Sequence, residues 1–186
     1  MRTKQAGWIA LALTTANLIG GATTEPDWPA ATAPLITETD GYVAIPRAAV
    51  PPRKDRLYRA IFDATRAAGK PTQLLPALNM AGSKVNAFFA SGVPLRNLKF
   101  VIIFHADALA GILDAEHYKA KFGVENPNLV VLAKLKKAGV RLFVCGQQLA
   151  ADKLEPKTLA ADVTVASDAL IVLMTFQNDG YALLSL

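Results

Sequence analysis

The sequence predicts an α/β protein, a three-layer sandwich built on a five-stranded, mainly parallel sheet and preceded by an extended N-terminal arm. Three observations carry this. The run Lys99-Phe100-Val101-Ile102-Ile103-Phe104 is almost wholly apolar, as a strand covered by helices on both faces must be. Stretches with apolar residues at helical spacing alternate with further short apolar runs, the pattern of βαβ units. Glycine, proline and capping residues mark most of the junctions.

Taken in order, the chain of 186 residues opens on a basic start, Arg2 and Lys4, followed by an uncharged apolar stretch from Trp8 to Ile19 and the small residues Gly20-Gly21-Ala22. Residues 1–22 therefore read as a secretory signal peptide, with the mature chain beginning near Thr23 in the periplasm or outside the cell. The apolar stretch is short and is followed by Glu25-Pro26-Asp27 rather than a basic stop-transfer flank, so no permanent span is expected; an uncleaved anchor is the alternative. Residues 23–55 form a Pro/Ala-rich arm in which Pro26, Pro29, Pro34, Pro46, Pro51 and Pro52 block any long helix. Gly41 to Ile45 alternates enough to add an edge strand or to lie on a neighbouring subunit, and the part before Thr37 is expected to be mobile.

The domain, residues 56–186, starts with a strand at Arg56 to Asp63 and a turn around Gly69-Lys70-Pro71. Leu75, Leu78, Gly82, Val85 and Phe89 recur at spacings of three and four, one buried face of a helix that ends near Gly92 and Pro94. After the Lys99–Phe104 strand and His105, Ala108 to Leu113 reads as a short helix. Asp114 caps a second over Ala115 to Phe122, which Gly123 stops. Asn126-Pro127-Asn128 opens a third, with Leu129, Leu132 and Leu135 on one face, lysines 134, 136 and 137 at its negative end, and Gly139 past its end. The strand ending at Cys145 comes next. Asp162 to Val165 is a fourth strand, Ser167 caps a helix through about Gln177, and Tyr181 to Leu186 is a fifth strand. The alternation gives a doubly wound, flavodoxin-like sandwich without internal repeats.

Charge excludes one broad class. Without residues 1–22 the net charge falls from +5 to +3, 18 Lys and Arg against 15 Asp and Glu. Pro51-Pro52-Arg53-Lys54 and Lys134-Leu135-Lys136-Lys137 are solvated surface rather than a nucleic-acid or lipid patch. No phosphate-cradling Gly-Lys-Ser/Thr loop, dinucleotide fingerprint or serine-hydrolase elbow is present, and no cofactor is expected. Two histidines and one cysteine far apart in sequence make no metal site within one chain, although a symmetric oligomer can gather ligands from several subunits.

What remains is Cys145, the sole cysteine, at the carboxyl end of a buried strand, where ligands and chemistry collect in open α/β sheets. A lone thiol in an oxidising compartment is buried, paired between chains, or reactive. Gly146 lets backbone amides turn toward the sulfur, and Gln147 to Ala151 read as a short helix with its positive end facing it.

Asn126-Pro127-Asn128-Leu129, Leu135-Lys136-Lys137-Ala138-Gly139-Val140, Val144-Cys145-Gly146-Gln147 and the closing Gly180-Tyr181-Ala182-Leu183 together resemble the DsrE/DsrF-like (YchN-like) family, in particular its exported members. The likeness runs from about Tyr58 to the C-terminus. It implies a five-stranded sheet, assembly into homotrimers or homohexamers, and sulfur relay through a cysteine persulfide, a sulfurtransferase-type chemistry. Cys145 matches the family's cysteine, and His105 a histidine often found at the end of the second strand. A glycine is expected after that histidine, where this chain has Ala106-Asp107.

The expected partners are a sulfur donor or acceptor protein or a small sulfur species, with no nucleic acid and no membrane after signal cleavage. His105 is a candidate base or positive neighbour for the thiolate, or a strand-end histidine bonded to backbone. Asp107 orients His105 or caps a helix. Gln147 and Gln148 donate to a sulfur oxyanion or satisfy local backbone, and His117 reads as inert. The competing function is a non-catalytic oligomeric binding or scaffolding subunit in which Cys145 is only packed.

Overall fold

The computed structural model describes residues 28–185. The signal-peptide reading of residues 1–22 lies outside the described residues. Five strands, β1 (Tyr58–Ala64), β2 (Leu98–Phe104), β3 (Arg141–Cys145), β4 (Thr164–Ala166) and β5 (Ala182–Ser185), form one sheet in the order β4-β3-β2-β1-β5. Every pairing is parallel, where the sequence predicts a mainly parallel sheet, so the carboxyl ends of all five strands lie along one edge.

Five α-helices connect and cover the strands: α1 (Pro76–Ala90), α2 (Ala115–Phe122), α3 (Asn128–Lys137), α4 (Gly146–Asp152) and α5 (Ala169–Asn178). Side-chain alternation divides the core. Ala60, Phe62, Phe100, Ile102, Leu142 and Val144 face α1 and α3 in the larger cluster. Ile61, Val101, Ile103 and Cys145 face α5 in a smaller one with Ala169, Val172, Leu173 and Phe176.

Local chemistry sets most boundaries where the sequence places them. Asp114 caps α2 by accepting from the His117 N–H, a bond that holds its carboxyl below the usual range, and Gly123 ends the helix at φ 73°. Some boundaries differ. The segment expected as a helix from Ala108 is a tighter 3-10 stretch over Ala106–Ile112. The fourth strand starts two residues later than expected, at Thr164, and the cap of α5 moves with it: Asp168, not Ser167, accepts from the N–H groups of Leu170 and Ile171 at 2.7 and 3.1 Å.

The Asn-Pro-Asn segment is a buried latch. The Asn126 amide donates to the carbonyls of Gly111 and Leu113, its oxygen accepts from the backbone N–H and the side chain of Asn128, and Asn128 accepts from the Leu75 N–H ahead of α1. One polar pair thus joins the 3-10 stretch and the starts of α1 and α3.

The arm differs most from expectation. Gly41 to Ile45 does not extend the sheet; only Tyr42 pairs, with Thr32 of the arm itself. Of the part before Thr37, expected to be mobile, Leu35 and Ile36 are seated on α1, with Ile36 fully buried. The cause is Asn86, a wholly buried residue of α1. Its oxygen accepts from the N–H groups of Leu35 and Ile36, each at 3.0 Å, and its amide donates to the Ile36 carbonyl and to Thr39 Oγ1. Thr39 fits against Gly82, where a Cβ would come within 2.5 Å of the Thr39 methyl. At the outer end Lys134 pairs with Glu38 at 2.7 Å, and this hydrogen bond holds the Glu38 carboxyl below its usual range. Burial of Ile36 contributes roughly 1.5–3 kcal/mol, enough to hold a short strap once its backbone groups are paired.

Asn86→Ala is expected to cost about 1–3 kcal/mol for each buried arm group left unpaired, or to release the strap. Hydrogen exchange checks this: the amides of Leu35 and Ile36 should lose protection while that of Ile102 in β2 keeps it. Unchanged protection at Leu35 and Ile36 contradicts the assignment.

Candidate active site at the carboxyl edge of the sheet

Three polar side chains share the α5 face at the carboxyl edge. Asp63 follows Ile61 by two residues in β1, His105 follows Ile103 by two just past β2, and Cys145 follows Phe143 by two at the end of β3. The register pairs Asp63 with Ile103 and Phe104 with Val144. One step further sets His105 beside Cys145 on strands about 4.8 Å apart. His105 has extended backbone, φ −158° and ψ −177°, so it continues the alternation of the strand.

The imidazole is held by Asp63: His105 Nε2 and Asp63 Oδ1 are 2.7 Å apart, with side chains 20% and 18% exposed. A carboxylate only accepts, so Nε2 carries the hydrogen and donates it. Nδ1 makes no hydrogen bond among the described residues, and no buried side-chain nitrogen or oxygen there lacks a partner, so Nδ1 meets solvent. Asp107, the sequence candidate for orienting His105, is not its partner. It lies in the first turn of the 3-10 stretch, after a reversal at Ala106 with φ 50°. Ala106 holds the left-handed conformation that glycine adopts without strain, at the position where the family resemblance leads one to expect glycine.

Cys145 is 6% exposed and its sulfur accepts the Ala169 N–H at 3.3 Å. Ala169 is the first residue of α5, so the amide at the positive end of a ten-residue helix points at the thiol. The sequence assigns that role to α4. Cys145 does precede α4 directly, but its side chain makes no cap bond there. Gly146 is demanded by space: a Cβ would lie 2.6 Å from the Ala166 carbonyl oxygen, which pins the β3–α4 turn against the end of β4.

Gln147 reaches the Ser167 carbonyl at 3.5 Å, and Gln148 bonds Asp152 at 2.9 Å; both amides serve local structure. His117, partly exposed on α2, is bonded through Nδ1 to its cap Asp114 at 2.8 Å. A cavity of about 660 Å3 lies nearby, lined among others by Ala106, Asp107, Leu109, His117, Lys121 and Asp152. Neither Cys145, His105 nor Asp63 lines it, so this hollow is separate from the thiol. Among the described residues no group of three or more His, Cys, Asp or Glu side chains converges to hold a metal.

Asp63 is the residue that sequence reasoning misses. Its signal is a carboxylate at the end of an otherwise apolar strand, Ala60-Ile61-Phe62-Asp63-Ala64, two residues from a position facing the core.

Residues 60–186 match the family described as DsrE/DsrF-like. A protein of unknown function, MTH1491 from Methanobacterium thermoautotrophicum, is similar in structure, with a TM-score of 0.53 and 17% identity over 69% of this chain and 99% of that one. The ychN protein from E. coli is similar with a TM-score of 0.50 and 16% identity over 70% and 100%. Both likenesses show the fold. No curated protein matches this chain.

Gly146→Ala is expected to destabilise the fold by about 1–3 kcal/mol, because the atom it meets is backbone and cannot rotate away. Thermal unfolding checks this against Gly139→Ala, where nothing lies within 4 Å and the cost is the φ of 90° alone. A Gly146→Ala protein with the parental melting temperature contradicts the close approach.

Proposed function

The chain belongs to the DsrE/DsrF-like family, which is associated with sulfur relay, and on that premise we propose that it is an exported relay protein carrying sulfur on Cys145 as a persulfide. The observation that supports this best is the sole cysteine at the carboxyl edge, accepting a helix N-terminal N–H, with His105 just past the end of the neighbouring strand. A thiolate is the species that attacks a sulfane sulfur and later leaves from it. An amide aimed at sulfur and a helix N-terminus stabilise negative charge developing there.

The donor is a persulfide or polysulfide and the acceptor another thiol, on a protein or a small molecule. Export rests on residues 1–22 and places the relay in the periplasm or outside the cell. With Cys145 only 6% exposed, uptake accompanies a displacement of the start of α5, whose Ala169 N–H lies on the sulfur.

A second reading, an oligomeric scaffold with an inert cysteine, is favoured by that same burial and by the outer face of α5. Leu170, Ile171 and Met174 are 63%, 51% and 56% exposed there, an apolar strip suited to another copy of the chain. A homotrimer or homohexamer fits either reading.

After polysulfide treatment of the parent, intact mass is expected to rise by whole sulfur atoms, and Cys145→Ser is expected not to gain them. An equal gain in both proteins refutes the relay. Native thiol titration separates the two readings: reaction with a disulfide reagent before unfolding supports the relay, and reaction only in denaturant supports the scaffold. Light scattering should give three or six copies, reduced by Leu170→Glu with Met174→Glu; a monomeric parent removes the oligomer from the proposal.

A further inference from the structure

We propose that Asp63 is a positioning residue for Cys145 chemistry: it locks His105 in the Nε2–H tautomer, so that Nδ1 presents its lone pair at the rim as the proton carrier for sulfur transfer. This rests on the relay reading and assigns the proton path within it. The carboxylate and imidazole are about four-fifths buried and 2.7 Å apart, and they occupy the same face and edge as the thiol. A largely buried carboxylate–imidazole pair of this kind adds little net stability over an apolar pair of the same volume. What it does fix is ring orientation and tautomer, as the carboxylate partner of a general base does.

The step balances without an oxidant. With the start of α5 displaced, the Cys145 thiol gives its proton through solvent to His105 Nδ1, and the sulfur's electron pair attacks the outer sulfur of a donor persulfide, R–S–SH. A new sulfur–sulfur bond forms to Sγ as the donor's breaks, and the departing pair stays on R–S, which takes the proton back from Nδ1. Cys145–SH and R–S–SH become Cys145–S–SH and R–SH. His105 returns to its starting form, and Asp63 keeps its bond to Nε2 throughout, stabilising the imidazolium while it exists.

The second histidine supplies an internal control. His117 is bound through Nδ1 to Asp114, the opposite nitrogen. In protein labelled with 15N at histidine and with neutral rings, long-range proton–nitrogen spectra should show His105 protonated at Nε2 and His117 at Nδ1. Asp63→Asn should move the His105 pattern and leave His117 unchanged. The same variant should take up sulfur on Cys145 on the order of 10- to 100-fold more slowly from a small-molecule persulfide, with the final content unchanged. Asp63→Glu should recover part of the rate that Asp63→Ala loses, and it replaces Asp63→Asn should that variant not fold.

Parental uptake by Asp63→Asn, or a parent in which His105 carries its hydrogen on Nδ1, overturns the assignment. A parent that gains no sulfur overturns the relay itself, and with it the proton path, while the ring spectra still report whether Asp63 sets the tautomer.

Discussion

The site depends on one geometric constraint, the two-residue alternation of side chains along strands that all run the same way. Parallel pairing brings the carboxyl ends of β1, β2 and β3 to one edge, and the register fixes how far each reaches. Asp63 lies one residue before the end of β1, His105 one beyond β2, and Cys145 at the end of β3. All three positions are odd within a common register, so all three side chains emerge on the α5 face. A slip of one residue in any strand would carry its group to the face of α1 and α3.

The two faces are unequal, and this shapes what the thiol meets. One is covered by α1, α3 and the strap anchored on Asn86, with most of the large buried side chains. Among the described residues, the other is covered by α5 alone. Cys145 therefore lies beneath a single helix whose first amide it engages and whose outer side chains are apolar and exposed. The Asn126–Asn128 latch stabilises the opposite side, so the Asn-Pro-Asn segment serves architecture, while Val144-Cys145-Gly146-Gln147 makes the turn from β3 into α4.

Local chemistry was legible in the sequence and long-range pairing was not. The run Lys99–Phe104, the Asp114 cap with Gly123, and Gly139 past α3 are decided by residues within a few positions of one another. Cys145 and His105 were legible as strand-end groups for the same reason. Asp63 was not, because its partner is 42 residues away and nothing near it in the chain marks a bond to His105. Asp107 looked better on proximity alone, but the reversal at Ala106 turns the chain into the 3-10 stretch immediately after the histidine. The seating of the strap is long-range likewise: prolines announce an extended segment, but its bonds come from Asn86, about 50 residues downstream, with Asn79 and Lys134.

Helix α5 is clamped to β3 at both ends. Its first N–H lies on Cys145, and near its far end the Arg141 guanidinium stacks 4.5 Å from the Phe176 ring centre while donating to the Tyr181 hydroxyl. A rod fastened twice to one strand cannot pivot freely. Any shift of its apolar flank must loosen either the aromatic clasp at Arg141 or the amide contact with the sulfur.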